Sequence, residues 1–126
     1  MSRVRGKDTQ PEITVRRLLH AHGYRFRLHR GDLPGRPDIV LPKYRTAVFV
    51  HGCFWHGHEG CKRATIPATR SEFWKEKIDR NITRDRRTID ELKALGYQPV
   101  IIWQCELRDS LRVIERVDRA TGRNRR

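Results

Sequence analysis

Apolar residues recur along the chain with two different periods, and each change of period marks a new element. Thr9 and Glu12 have the spacing of a capping box, and Pro11 suits the first turn of a helix. The apolar residues that follow keep a helical spacing; they are Ile13, Val15, Leu18 and Leu19. Gly23 is a natural stop, so the pattern predicts a first helix between Thr9 and Gly23.

Alternating and continuous apolar runs then predict strands. Residues 24–28 alternate apolar and basic side chains, which indicates a half-buried strand. After a turn rich in glycine and proline, residues 38–41 and 46–50 form two short runs of strand-forming residues. Residues 42–45 separate the runs and favour a tight turn, so the two runs are predicted to pair as a hairpin.

The helical spacing returns in the second half of the chain. Thr69 and Glu72 have the spacing of a second capping box, and Gly96 ends the predicted helix. Its apolar positions are Phe73 or Trp74, Ile78, Ile82, Ile89, Leu92 and Leu95. Residues 100–103 form an apolar, β-branched run that predicts a central strand, and residues 107–117 are predicted to form a last helix.

The order of these elements predicts one α/β domain over residues 1–126, with helices packed on a small sheet. We expect a frayed basic tail at residues 119–126. No apolar run approaches the roughly 20 residues that a membrane span needs, and the start lacks a signal-peptide pattern. We therefore expect a cytosolic protein with no membrane partner and with reduced cysteines.

Charge narrows the class of partner. The sequence has 28 Lys plus Arg against 15 Asp plus Glu, a formal net charge of +13. Such an excess opposes compaction by self-repulsion, so it usually accompanies a polyanionic partner. Nucleic acid is the leading candidate, and a solvated basic surface without such a partner is the alternative.

Cysteine and histidine cluster after the second hairpin strand. Cys53, His58 and Cys61 are close together in the sequence, and Cys105 follows the predicted strand at residues 100–103. Three thiolates and one imidazole form a ligand set that zinc favours in closed structural sites. Zinc would tie a long irregular loop to the sheet. The alternative is that these are ordinary buried cysteines beside an incidental histidine.

Acidic residues and histidines near the hairpin are candidates for catalysis. Asp38 starts one hairpin strand and His51 ends the other, and antiparallel pairing brings such positions together. The Asp38 carboxylate suits Mg²⁺, and Glu12 could add a second carboxylate. His51 and His56 could activate water or protonate a leaving group. The alternatives are turn capping for Asp38, helix capping for Glu12, and zinc binding or a solvated loop position for His56.

Two adjacent aromatic residues, Phe54 and Trp55, lie between polar neighbours in the same loop. Aromatic side chains can insert between bases, because stacking on the rings offsets the cost of unstacking the bases. Trp74, at the start of the long helix, is a third candidate. The alternative for all three is a small satellite core around the metal cluster.

Together these motifs resemble the very short patch repair (Vsr) endonuclease family, the bacterial nickases that act on T:G mismatches. The resemblance covers nearly the whole chain. It is carried by residues 6–9 with Glu12, 33–38, 51–56, 67–74, 77–78, Asn81, 84–85 and 103–105. It implies a restriction-endonuclease-like core of the PD-(D/E)xK type, with a central mixed sheet, flanking helices and a structural zinc loop.

The resemblance also assigns roles to the cleft residues. Asp38 would bind catalytic Mg²⁺ together with the main-chain carbonyl of Val50, where the family often has threonine. His56 would activate water, His51 would be the second active-site imidazole, and Asp85 would orient a histidine. Glu12 would hold a metal-bound water.

Other residues would bind zinc and DNA. Cys53, His58, Cys61 and Cys105 would hold Zn²⁺. Phe54, Trp55 and Trp74 would form an intercalating wedge, and Lys77 and Asn81 would contact the mismatched pair. Residues 1–8 would be a truncated N-terminal arm, with Met1 and Val4 as its apolar contacts to DNA.

The activity implied is nicking of double-stranded DNA on the 5′ side of the thymine of a T:G mismatch produced by deamination of 5-methylcytosine. A monomer would act in the bacterial cytoplasm, at the nucleoid, and other DNA repair proteins would complete the repair. Two alternatives remain open. One is a nicking endonuclease of the same fold with a different DNA specificity, and the other is a zinc-stabilised DNA-binding module without catalysis.

Overall fold

The computed structural model describes residues 9–123, so Met1 and Val4 lie outside the described residues. Its helices and strands are α1 (Gln10–Ala21), β1 (Arg27–Leu28), β2 (Ile39–Leu41), β3 (Thr46–His51), α2 (Ser71–Ala94), β4 (Gln98–Trp103) and α3 (Ser110–Thr121). Short 3-10 helices span Pro42–Tyr44, Lys62–Ala64 and Gln104–Arg108. Within this part of the chain, every helix is too short or too polar to cross a membrane.

The strands form one mixed sheet in the order β1-β2-β3-β4. The predicted hairpin is confirmed, because β2 and β3 pair antiparallel with Ile39 opposite Val48. Strands β3 and β4 are parallel and joined through α2, with His51 opposite Trp103 at their carboxyl ends. The prediction of a central position for β4 is wrong, since it lies at the edge of this sheet. Its run of apolar residues is explained by the helices that cover the faces of the sheet, and not by a neighbouring strand on each side.

Helices cover both faces of the sheet. One core contains side chains of α1 and α3 against the sheet, including Val15, Leu19, Val113 and Val117. The other core places Leu92 of α2 against Phe49 and other residues of β2 and β3, with the partly buried Tyr97 and Ile101 at its border. Because β3 is covered on both faces, its run of apolar residues is almost continuously buried. The predicted α/β architecture is therefore confirmed as a helix–sheet–helix arrangement.

The two predicted capping boxes have different outcomes. Thr9 caps α1, since its Oγ1 accepts from the Glu12 N–H at 3.4 Å, and Gly23 follows the helix with a positive φ of 96°. The Thr69 capping box is wrong. Arg70 occupies the N-cap of α2 in the left-handed region, with φ 57° and no side-chain cap. Glu72 instead lies in the first turn, where its charge favours the helix amino terminus.

Other predicted boundaries shift for local reasons. The strand predicted over residues 24–28 contracts to Arg27–Leu28, because Tyr24 is buried and its hydroxyl donates to Asp118 of α3 at 2.5 Å. Residues 104–108 form a 3-10 turn, and α3 starts later because Asp109 caps it by accepting from the Arg112 N–H at 3.2 Å. The helix continues through Thr121, so residues 119–121 are helical rather than frayed. Residues 124–126 lie outside the described range.

Candidate active site and metal centre

A cleft of about 480 Å³ opens beside the carboxyl end of β3. Asp38 enters it immediately before β2, His51 enters it at the end of β3, and the following loop and α2 form its other walls. The structure brings all the predicted catalytic side chains to this cleft; they are Glu12, Asp38, His51, His56 and Asp85. Val50 lines the same space.

The Asp38 carboxylate is bonded across the hairpin, since its Oδ2 accepts from the Val50 N–H at 2.7 Å. Burial raises the pKa of Asp38 to about 6, and the nearby charge of Glu12 adds to this effect. The N–H and C=O of one strand residue point to the same side, so the Val50 carbonyl is on the Asp38 side of β3. The buried Asp38 carboxylate has few positive charges near it, and the Val50 carbonyl lies beside it. Together they offer oxygen ligands of the kind that a hard divalent cation prefers.

Glu12 extends this set of donors. It is only 2% exposed, and its Oε2 lies 2.7 Å from Arg16 Nη2 and 2.9 Å from His29 Nε2. The ligand atoms of Glu12, His29 and Asp38 all lie within 4.8 Å of one another. His29 was missed from the sequence. It comes to Asp38 because β1 pairs with β2, and its N–H donates to the Asp38 carbonyl at 3.3 Å.

The two cleft imidazoles are stacked. The rings of His51 and His56 have centroids 3.7 Å apart and planes inclined by 8°. His51 is 6% exposed, and burial lowers its pKa to about 4, with the neighbouring His56 adding to the effect. His51 is therefore neutral near pH 7. Among the residues that the structure describes, its Nδ1 has no hydrogen-bond partner.

His56 is oriented by a carboxylate. Its Nδ1 lies 2.7 Å from Oδ2 of Asp85 on α2. This contact favours the proton on Nδ1 and leaves Nε2 able to accept one. His56 groups with His51 and Asp85 rather than with the cysteines, which argues against zinc binding by His56. The arrangement has the features of a general base.

The predicted zinc ligands also converge. The ligand atoms of Cys53, His58, Cys61 and Cys105 lie within 4.8 Å of one another. His58 Nδ1 is 3.5 Å from Cys105 Sγ, although these residues are remote in sequence. Burial raises the pKa of the Cys53 thiol to about 11. Tetrahedral zinc, with Zn–S distances of about 2.3 Å, places its sulfurs roughly 3.8 Å apart, so the donor types and their convergence fit zinc.

A glycine lets this loop reach α2. Gly57, between His56 and His58, has φ +59°, and an added Cβ would lie 2.8 Å from Ile82 Cδ1 and 2.9 Å from Ile78 Cγ2. A larger residue would strain the backbone and collide with the helix. Gly57 therefore permits the close packing that brings His56 to Asp85.

The three predicted wedge aromatics form one cluster, with centroids 5.2 Å apart for Phe54 and Trp55, 5.6 Å for Phe54 and Trp74, and 5.7 Å for Trp55 and Trp74. Trp55 also lines the cleft. Asn81 Nδ2 donates to the Trp55 carbonyl at 2.9 Å, so Asn81 holds the loop that carries Phe54 and Trp55. Lys77 is exposed on α2. Through Trp55, this aromatic cluster adjoins the cleft.

Sequence reasoning missed other residues around the site. Phe73 is 44% exposed and its ring lies 5.1 Å from that of Trp74. Arg84 and Gln104 line the cleft, and Arg84 Nη2 donates to Asn81 Oδ1 at 2.8 Å. The signal for Phe73 and Arg84 was their place beside Trp74 and Asp85 in the sequence. Gln104 lies beside Cys105 in residues 103–105, one of the segments that carry the family resemblance.

A basic α/β domain has the features of a nucleic-acid hydrolase when one cleft holds a buried acid and a carboxylate-oriented imidazole, with a cluster of aromatic rings beside it. The family profile described as DNA mismatch endonuclease Vsr matches residues 1–63. The chain belongs to this family.

Three proteins similar to this chain are named as nicking enzymes or as a mismatch endonuclease. The chain is 55% identical to the Type II nicking enzyme V.XorIIP of Xanthomonas oryzae pv. oryzae over 109 residues, which cover 86% of this chain and 79% of the relative. It is 47% identical to the DNA mismatch endonuclease Vsr of Escherichia coli over 108 residues, 86% of this chain and 69% of the relative. It is also 42% identical to the Type II nicking enzyme V.NmeAIP of Neisseria meningitidis over 119 residues, 94% of this chain and 84% of the relative.

Proposed function

We propose that this chain nicks one strand of duplex DNA on the 5′ side of the thymine of a T:G mismatch, including mismatches left by deamination of 5-methylcytosine. The observation that carries the proposal is the meeting of Asp38, His51 and His56 in one cleft, in a chain 47% identical to a DNA mismatch endonuclease. The sheet, with its acid at the start of a hairpin strand, suits a restriction-endonuclease-like core. The protein acts as a cytoplasmic monomer, and other repair proteins complete the repair.

His56 is the group that takes a proton in the reaction. Asp85 holds its Nδ1, so Nε2 accepts the proton of the water that attacks phosphorus. The water oxygen forms a new bond to phosphorus as one ester P–O bond breaks in line with it, and the leaving oxygen takes up a proton. General base catalysis of this kind contributes about 10²–10⁴ in rate. The neutral His51, stacked on His56, holds that ring in place.

The oxygen donors around Asp38 suit Mg²⁺. The Asp38 carboxylate and the Val50 carbonyl would hold the ion, and Glu12 would hold a water bound to it. When bound, Mg²⁺ would neutralise the negative charge that develops on the phosphate. The buried carboxyl of Asp38, with its raised pKa, supports this assignment because a nearby cation would favour its ionised form.

Zinc in the Cys–His cluster would be structural. Cys53, His58, Cys61 and Cys105 offer four protein donors, which is the usual number in a closed zinc site. Such a site would fasten the loop after β3 to the turn after β4. The same loop carries His56 and the Phe54–Trp55 pair, so zinc would fix both groups relative to Asp38.

The chain's excess of basic residues would bind DNA phosphates, which makes affinity strongly dependent on salt. Phe54, Trp55 and Trp74 would open the base stack at the mismatch. Lys77 and Asn81, on the helix that carries Trp74, would contact the mismatched pair. Met1 and Val4 remain candidates for minor-groove contacts.

A nicking assay tests the proposal. End-labelled T:G, T:A and C:G duplexes of one sequence are incubated with the wild type, with or without Mg²⁺, and with Asp38→Asn. Asp90→Asn, an exposed change on α2, is the matched control. We expect nicking only of the T:G duplex, with Mg²⁺, by the wild type and the control.

Three other outcomes would contradict parts of the proposal. Equal nicking of matched duplexes would indicate a nicking enzyme of different specificity, a class that the names of two relatives keep open. Binding without nicking on any duplex would indicate a DNA-binding module. Full activity of Asp38→Asn would remove that residue from the mechanism.

A further inference from the structure

Trp103 touches both the Cys–His cluster and the cleft imidazoles. Its ring stacks on His58 with centroids 4.1 Å apart and planes inclined by 8°. The indole also lies roughly perpendicular to the rings of His51 and His56, with centroid distances of 5.3 Å and 6.5 Å and planes inclined by 75° and 69°. One indole thus contacts one candidate zinc ligand and both imidazoles of the proposed active site.

The backbone fixes the indole in this position. Trp103 is the last residue of β4 and lies opposite His51 in the parallel pair. The backbone N–H of Trp103 donates to Glu106 Oε1 at 2.8 Å, across the 3-10 turn that carries Cys105. The residue that carries the indole is therefore anchored to the end of the sheet, while the indole contacts the loop after β3 through His58.

We propose that Trp103 is a positioning residue that couples the Cys–His cluster to the imidazole pair. This inference rests on the proposed nicking activity. His56 and His58 flank Gly57 in one loop, and a metal on His58 would fix only one of the two rings. Trp103 transmits the orientation of His58 to His51 and His56 through direct ring contacts. A misplaced His56 Nε2 would lie out of hydrogen-bond reach of the attacking water.

The size of the indole matters for this role. Its plane stacks on His58 while it also packs roughly perpendicular to two further rings, so one side chain contacts three partners. A phenylalanine ring is smaller and would keep the stack on His58 but lose part of the contacts with His51 and His56. A leucine would lose the aromatic geometry altogether. We therefore expect a graded loss from Trp103→Phe to Trp103→Leu.

A double-mutant cycle tests the coupling. His58→Cys keeps four zinc-binding donors but removes the ring that stacks on Trp103. Single-turnover nicking at saturating enzyme is measured for the wild type, Trp103→Leu, His58→Cys and the double variant, together with zinc content and DNA affinity. Tyr44→Leu, an aromatic deletion at the other end of β3 that packs on Tyr24, is the control for lost packing.

We expect Trp103→Leu to retain zinc and bind DNA normally, but to nick at least about tenfold more slowly, as misplaced catalytic groups do. Trp103→Phe should be intermediate. The double variant should be no slower than the slower single variant, because both changes break one chain of contacts. Multiplicative losses, or an unchanged rate in Trp103→Leu, would overturn the proposal.

A second readout separates this inference from the proposed function. In protein with ¹⁵N-labelled histidine, the His51 and His56 imidazole signals should respond to His58→Cys when Trp103 is present and not in Trp103→Leu. An equal response in both backgrounds would overturn the coupling. If the wild type nicks no duplex at all, the proposed function fails, but these signals still decide whether Trp103 couples the two sites.

Discussion

His56 and Asp85 are joined by a 2.7 Å contact between Nδ1 and Oδ2. The contact crosses from the loop after β3 to the middle of α2, and the absence of a side chain at Gly57 allows the approach. Since the carboxylate fixes the tautomer and the plane of the ring, Asp85 governs which nitrogen faces the cleft. This relationship orients the imidazole at the proposed site of water activation.

Replacing Asp85 by asparagine should therefore slow the chemical step. An asparagine amide can also hold the His56 ring, but it lacks the negative charge that stabilises the imidazolium formed when His56 takes the proton of water. We therefore expect single-turnover nicking to fall by about a hundredfold. DNA affinity should change little, because asparagine keeps the size of Asp85 and its hydrogen bond to His56. Rapid-quench nicking and fluorescence anisotropy measure the two quantities. Wild-type rates in this variant would show that the carboxylate has no catalytic part.

Replacing Phe54 and Trp55 by alanine should weaken binding to mismatched DNA more than it destabilises the fold. Base–aromatic stacking is worth about 1–3 kcal/mol per base, so the affinity for a T:G duplex should fall at least about fivefold. Leu111→Ala, at an 81% exposed position of α3, is the control. If instead the double change lowers the free energy of unfolding and leaves affinity intact, the cluster is a satellite core.

Removing one candidate zinc ligand should affect stability and activity together. Cys105→Ala leaves three donors, and structural zinc sites contribute directly to folding free energy. We expect this variant to contain no zinc, to melt at a lower temperature and to nick poorly. Metal content by mass spectrometry and thermal unfolding measure the first two effects. A metal-free protein with the wild-type melting temperature would contradict a structural role for zinc.

Glu106 should stabilise the turn that presents Cys105. Its carboxylate accepts from the Trp103 N–H at 2.8 Å and pairs with Arg116 of α3, whose guanidinium also donates to the Ile101 carbonyl. Glu106→Gln weakens this partly buried network, and we expect the free energy of unfolding to fall by about 1–3 kcal/mol. Urea denaturation measures it, with the exposed Glu115→Gln as control. Equal effects of the two changes would contradict the role given to Glu106.

Local chemistry made much of this site predictable. Turn residues and apolar runs placed Asp38 and His51 on one hairpin, and the register of β2 and β3 confirms that pairing. The clustered Cys53, His58 and Cys61 indicated a common centre, which the structure supports by bringing their ligand atoms together. These features depend on short-range patterns, which a sequence shows directly.

What the sequence did not show depends on long-range packing. His29 reaches Asp38 only through the pairing of β1 and β2, and the alternating pattern of residues 24–28 does not show which strand β1 pairs with. Trp103 looked like one more apolar strand residue, whereas its contacts require the parallel pairing of β3 and β4. The Thr69 capping box failed because Arg70 turns the backbone into the left-handed region, which spacing alone cannot predict.

Mapping the nick at single-nucleotide resolution tests the central claim most directly. Each strand of a T:G duplex is end-labelled in turn and treated with the wild type and with His56→Ala, in the presence of Mg²⁺. We expect one product from the wild type, cut on the 5′ side of the mismatched thymine, and an intact partner strand. His56→Ala should give this product at least about a hundredfold more slowly. Cleavage at positions unrelated to the mismatch, or an undiminished rate in His56→Ala, would contradict the claim.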